Sequence, residues 1–141
     1  MVQFDAYGIP ASRNNAKGMA SLRRVVFSDD IHTELYPRMF QNCAALESIR
    51  TSSSNEGATF DLPNSLTYIP EFAFSGCSGL TGSLRLPDGL IAIGRLAFAN
   101  CNGFTGEVVL SDQVIYLGMD AFLGCDQLEC VAIYNQQFPI C

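Results

Sequence analysis

Six cysteines are the side chains best equipped for chemistry in this 141-residue sequence. Cys77, Cys101 and Cys125 stand 24 residues apart, and Cys43 precedes them in an equivalent context. Such a set invites three chemistries: disulfide exchange, metal ligation and nucleophilic attack. Structural zinc sites use Cys pairs about two to four residues apart, which this interval lacks. A thiol or hydroxyl nucleophile needs a positioned base and an oxyanion hole. The one histidine, His32, lies between Asp30 and Glu34 and reads as a solvated turn residue. Asp88, Asp112 and Asp126 occupy turns, where Asp bonds its own backbone, and form no acid/base pair. No phosphate-cradling glycine loop, HExxH or CxxC motif occurs. The sequence therefore predicts no enzyme, no catalytic residue, no metal site and no cofactor.

Composition bounds the class further. With 48% apolar and 16% charged residues the chain is one domain's worth of ordinary globular sequence with ample material for a core. Its net charge is −6 and it has no Lys/Arg cluster, so the electrostatic term that dominates nucleic-acid affinity is missing. No window approaches the roughly 18 consecutive apolar residues of a transmembrane segment. The first thirty residues lack the apolar stretch of about 7 to 15 residues of a secretory signal. As written the chain reads as intracellular, or as cell-surface or secreted if it is an excerpt of a longer protein. Residues 1–50 carry six basic and five acidic side chains, and residues 51–141 two basic and nine acidic.

The cysteine interval belongs to a larger repeat. Phe74, Phe98 and Phe122 keep the same spacing, each preceded by Ala and followed three residues later by the Cys. Upstream of them run Phe60-Asp61-Leu62-Pro63, Leu84-Arg85-Leu86-Pro87 and Val108-Val109-Leu110-Ser111. Each is followed by an apolar pair three apart: Leu66 and Ile69, Leu90 and Ile93, Val114 and Leu117. Leu80, Phe104 and Leu128 close the units. Val25, Phe27, Ile31, Leu35, Phe40, Cys43 and Leu46 supply a degenerate earlier copy, and Val131-Ala132-Ile133 begins a further one. A fixed period of this size is the mark of a solenoid.

These units resemble the BspA-like leucine-rich-repeat family, whose repeat reads approximately Leu-x-x-Ile-Pro-x-x-Val-x-x-Ile-Gly-x-x-Ala-Phe-x-x-Cys-x-x-Leu. The match is best from Leu86 to Phe104 and extends over residues 22–134. Ser111 stands where Pro is usual, and Tyr36 and Pro70 stand near the usual Gly that Gly94 and Gly118 keep. The expected fold is a leucine-rich-repeat solenoid, mainly β and coiled right-handed. It has a parallel sheet of about five short strands, a second wall of short strands, and short helical turns. Residues 1–21 are an N-terminal cap or arm. Repeats then fall at about 22–58, 59–82, 83–106 and 107–130, with a partial one at 131–141.

Alternation in Leu84-Arg85-Leu86 sends two side chains inward and one outward. The following Pro or Ser ends the strand. In Ala-Phe-x-x-Cys the Phe fills the interior, and the four column cysteines read as small buried thiols. Equivalent side chains on neighbouring rungs point in parallel, which opposes disulfides between them. Cys130 and Cys141 fall outside the column, each either a free thiol or part of a capping disulfide.

Two surfaces follow. On the strand face the outward columns are Arg24, Thr59, Ser83, Glu107, Cys130 and Val26, Asp61, Arg85, Val109, Ala132. The resemblance makes this face the recognition surface, with Thr59, Asp61, Ser83, Arg85, Glu107 and Val109 as its candidates, although Asp61 and Arg85 are placed to pair with each other. On the opposite wall Tyr68, Ile91, Ile115 and Tyr116, with Phe72 and Leu96 beside them, would form an apolar strip larger than a free monomer normally exposes. Residues 1–21, which hold Val2, Phe4, Tyr7 and Ile9, or another protein must cover it. The polar stretch Thr51-Ser52-Ser53-Ser54-Asn55-Glu56-Gly57 reads as an inserted loop. The expected function is a non-enzymatic protein–protein interaction module, adhesive or ligand-binding through the strand face. The alternative is a small structural subunit of a multi-protein assembly, with the apolar wall and solenoid ends buried against neighbours.

Overall fold

The computed structural model describes residues 21–27, 34–55 and 57–133. The N-terminal cap or arm, His32, Asp30 and Cys141 lie outside the described residues. In chain order the strands are β1 (Arg24–Phe27), β2 (Ser48–Thr51), β3 (Tyr68–Ile69), β4 (Gly82–Ser83), β5 (Ala92–Ile93), β6 (Phe104–Leu110), β7 (Tyr116–Leu117) and β8 (Leu128–Ile133). All pairings are parallel, in the orders β1-β2, β3-β5-β7 and β4-β6-β8. Each rung therefore contributes once to a strand face and once to an outer wall. The described residues form the expected β-solenoid.

The period-2 pattern does what the sequence demands of it. Val25 and Phe27 in β1, and Val108 and Leu110 in β6, are buried while Arg24, Glu107 and Val109 face out. Leu84 and Leu86 are buried around the exposed Arg85. The second apolar pair of each inner rung closes the other side: Leu66 and Ile69, then Leu90 and Ile93, are all buried.

Two expectations are corrected. The run from Thr51 is not loop from its first residue, because Ser48–Thr51 is a strand of its own with Val25 opposite Ile49 and Phe27 opposite Thr51. Ile49 then bridges Phe60 in parallel, so Ser52–Asn55 and Gly57–Ala58 belong to a short excursion between two adjacent positions of the strand face. The signal was present: Leu22 and Leu46, Val25 and Ile49, Phe27 and Thr51 are each 24 apart. Thr51 hides it by placing a hydroxyl at an inward position. That hydroxyl is buried and satisfied, lying 3.1 Å from Ser54 Oγ and 3.3 Å from Ser53 Oγ.

The second correction concerns the Ala-Phe-x-x-Cys segments, which are not helical; the described residues contain no helix. Ser75 N–H donates to the Phe72 carbonyl and Cys77 N–H to the Phe74 carbonyl, at 3.2 and 3.1 Å. The alternate N–H groups leave the turn and reach the next rung. Phe72, Phe74 and Gly76 donate to the carbonyls of Arg95, Ala97 and Ala99 at 3.1, 2.8 and 2.8 Å. Arg38, Phe40 and Asn42 repeat this toward Glu71, Ala73 and Ser75, and Leu96, Phe98 and Asn100 toward Met119, Ala121 and Leu123. The left-handed backbone of Arg38, Phe72, Leu96 and Asp120, φ 55° to 63°, breaks any helix at this point. The solenoid thus has a third hydrogen-bonded side, made of turns rather than strands.

Inside, the Phe column forms a continuous stack. Phe40–Phe74, Phe74–Phe98 and Phe98–Phe122 have ring centroids 5.5, 5.3 and 5.6 Å apart and interplanar angles of 13°, 9° and 3°. Phe60 meets Phe74 and Phe104 edge-on, each at 5.3 Å. Offset and edge contacts of this kind add about 0.5–1.5 kcal/mol per pair beyond area burial.

Candidate interaction surfaces

The cysteine column is packed into the core. Cys43, Cys77, Cys101 and Cys125 are buried thiols. Cys77 Sγ donates to the Phe40 carbonyl, Cys101 Sγ to Phe74 and Cys125 Sγ to Phe98, at 3.1, 3.0 and 3.0 Å. Each of these carbonyls also accepts the Cys N–H of its own rung, so both lone pairs are used. Burial pushes all three thiols up from their ordinary value, which favours the neutral form. Cys130, which the sequence left open, is disulfide-bonded. Among the described residues no three metal-ligating side chains come together.

On the strand face, Ser83, Arg85, Glu107 and Val109 are exposed, while Thr59 and Asp61 are half-buried. Thr59 Oγ1 donates to the Thr81 carbonyl at 2.7 Å and ties two rungs together. The expected Asp61–Arg85 pair is not made. Asp61 Oδ2 instead accepts from Ser54 Oγ at 2.6 Å, which fastens the inserted loop to the face, and Arg85 enters no ion pair among the described residues. Ala132 lies opposite Val109 in register, on the same face of the sheet, and is buried there. Two shallow depressions, of about 390 and 290 Å³, adjoin Arg85 on either side. The first is bordered by the inserted loop at Asn55, Gly57 and Ala58, the second by Asp88, Glu107 and Ser111.

The outer wall carries the apolar strip. Tyr68 is 48% exposed, Ile91 42%, Ile115 83% and Tyr116 56%, with Phe72 and Leu96 half-buried beside them. Parallel pairing of β3, β5 and β7 sets Tyr68, Ala92 and Tyr116 in one column. Two further apolar residues were not anticipated as exposed: Met119, and Leu117, which repeats the buried Ile69 and Ile93 and is 37% exposed because no described rung packs on its far side. Two arginines also frame Phe72: Arg38 Cζ lies 4.2 Å and Arg95 Cζ 5.8 Å from the ring centroid, within cation–π range. Spacing could not reveal Arg38, because the excursion after Thr51 puts it 34 residues before Phe72 rather than 24.

Known proteins share this arrangement. The BspA type leucine rich repeat region family matches residues 53–138, in six copies. The chain is similar to a leucine-rich repeat protein from Bacteroides ovatus ATCC 8483, with 29% identity and a TM-score of 0.66. It shares the fold of a leucine rich cell surface protein from Faecalibacterium prausnitzii A2-165, at 24% identity and a TM-score of 0.64. Each match covers 84% of this chain but 27% of the solved one, so the chain spans about a quarter of their length. No curated protein matches it. A family match over more than half of the sequence, carried by rungs whose Phe, Cys and strand positions superpose in register, establishes that the chain belongs to the BspA-type leucine-rich-repeat family.

Proposed function

We propose that this solenoid is a non-enzymatic protein-binding module and that its principal contact surface is the outer wall. The observation that carries the reading is the exposure of Tyr68, Ile91, Ile115 and Tyr116 as one apolar strip on a regular sheet. Such a strip on a folded surface marks an interaction site. Its tyrosines and flanking arginines are the residue types that dominate interface energetics. The test is to replace Ile91 and Tyr116 by Asp in the full chain and follow its native size in gentle extracts of the producing cells. The expected result is a shift of the protein from a large assembly toward its monomeric size, with the thermal midpoint unchanged. Both variants staying in the assembly would overturn the outer-wall contact.

A second reading places ligand recognition on the strand face, at Arg85 between the two depressions, with Thr59, Asp61, Ser83, Glu107 and Val109 around it. The Arg85 guanidinium, exposed and outside any ion pair among the described residues, favours it. An Arg85→Glu variant separates the two: loss of partner with Arg85→Glu but not with Ile91→Asp assigns recognition to the strand face.

A further inference from the structure

Phe72 and Leu96 are in the wrong conformation for residues chosen to stabilise the fold. Their φ values are 57° and 55°, a left-handed region that costs a bulky L-residue free energy and that Gly, Asn or Asp occupies far more readily. The rungs before and after them place Arg38 and Asp120 in the same left-handed position, so the turn itself does not demand an apolar side chain. Nor does the core, since both side chains are only half-buried, in the turns that follow the outer-wall strands. Residues retained at a backbone cost and at an exposure cost point to a use outside the fold.

The groups around them narrow that use. Arg38 and Arg95 both approach the Phe72 ring, and neither guanidinium enters an ion pair among the described residues. In a chain of net charge −6 this puts two cations beside an aromatic ring and next to the exposed Tyr68 and Ile91. Arg38 Nη1 donates to Gln41 Oε1 at 3.4 Å, and a guanidinium held against an aromatic plane keeps its remaining N–H donors for a carboxylate. We infer that Phe72 and Leu96 are the apolar anchors, and Arg38 and Arg95 the charged ones, of a docking site for an acidic, apolar segment of a partner protein. The segment places an apolar side chain on Phe72 and Leu96 and a carboxylate on each arginine. Nucleic acid and anionic membranes fit less well, because neither supplies apolar groups in register with anions, and both are repelled by the acidic remainder of the chain. This inference rests on the outer wall being the contact surface and adds the chemistry of what it contacts.

The test uses the full chain and two fluorescein-labelled peptides of about twelve residues, one alternating Glu with Leu and Phe, the other with Lys in place of Glu, read by fluorescence anisotropy. The Glu peptide is expected to bind at least about tenfold more tightly than the Lys peptide and to weaken as salt is raised. Arg38→Gln combined with Arg95→Gln removes that preference. Phe72→Asn combined with Leu96→Asn lowers affinity at least about tenfold while leaving the thermal midpoint unchanged or raising it by a few degrees, since Asn tolerates the left-handed backbone. Equal binding of the two peptides, no binding at about 1 mM, or preferential binding of an oligonucleotide or anionic vesicles overturns the inference. A fall of several degrees in the Asn variants also overturns it, by making the two residues structural. If the peptides fail while Ile91→Asp still releases the chain from its assembly, the partner chemistry is wrong and the outer-wall reading stands; if both fail, both fall.

Discussion

A column cysteine in this fold is a small donor, placed where the preceding rung's Phe carbonyl has one lone pair left to fill. That role makes a pH prediction. Burial holds the Cys77 and Cys101 thiols well above their ordinary value near 9.0, so the folded state keeps them neutral while the unfolded chain ionises them above that pH. The stability they contribute is complete below about pH 9 and is lost as pH rises beyond it toward the folded values. Urea midpoints should therefore be level from about pH 7 to 8.5 and fall by pH 10, and a Cys77→Ala/Cys101→Ala variant should show a shallower fall. An equal fall in the variant would assign it to other groups. The Phe column gives a second prediction. Phe98 is fully buried between two stacked rings, so Phe98→Ala should cost about 3–5 kcal/mol in denaturant titration. Phe122 is half-buried and stacked on one side among the described rings, so Phe122→Ala should cost clearly less. The burial of Phe98 and the cysteines was legible from their shared 24-residue interval. The thiol–carbonyl bond was not, because it depends on how neighbouring rungs are offset.

At the scale of the element, the informative unit is the turn that follows each outer-wall strand. Gly94 lies against the preceding rung so closely that an added Cβ would sit 2.5 Å from the backbone nitrogen of Glu71. Backbone cannot yield as a flexible side chain would, so Gly94→Ala should destabilise by about 1–3 kcal/mol, measured by chemical denaturation. Asn42, Gly76, Asn100 and Gly124 alternate down a second left-handed column for a related reason. The Asn42 Oδ1 occupies the space a Cβ on Gly76 would need, so each Asn packs over the next rung's Gly. Strand patterning was readable wherever apolar residues alternate, as in Leu84-Arg85-Leu86. It failed at Ser48–Thr51, where Ile49 is the one apolar residue and local hydrogen bonds satisfy Thr51 instead. The turns were misread as helical because Phe and Cys lie three apart, a spacing that suits a helical turn. What decides the matter is the left-handed residue before Ala, and no spacing records its φ.

For the whole molecule, three hydrogen-bonded sides around an aromatic stack make a prism whose rungs each contact only their neighbours. Such a body has a regular surface, and regularity turns one exposed position into a strip. The sequence disclosed the strip because Tyr68, Ile91, Ile115 and Tyr116 fall between inward positions of the repeat. It did not disclose that Arg38 flanks Phe72, nor that Asp61 is held by Ser54 rather than by Arg85, because both depend on the excursion after Thr51. The family supplies the solenoid and the expectation of protein partners; the choice of face comes from exposure and side-chain chemistry. The most direct test of that choice is hydroxyl-radical footprinting of the chain in a gentle native extract, compared with the purified chain. The outer-wall account predicts that Tyr68, Ile91 and Tyr116 are oxidised several-fold less in the extract, while Arg85 and Val109 are unchanged. Equal oxidation of Tyr68 and Tyr116 in the two samples would contradict it.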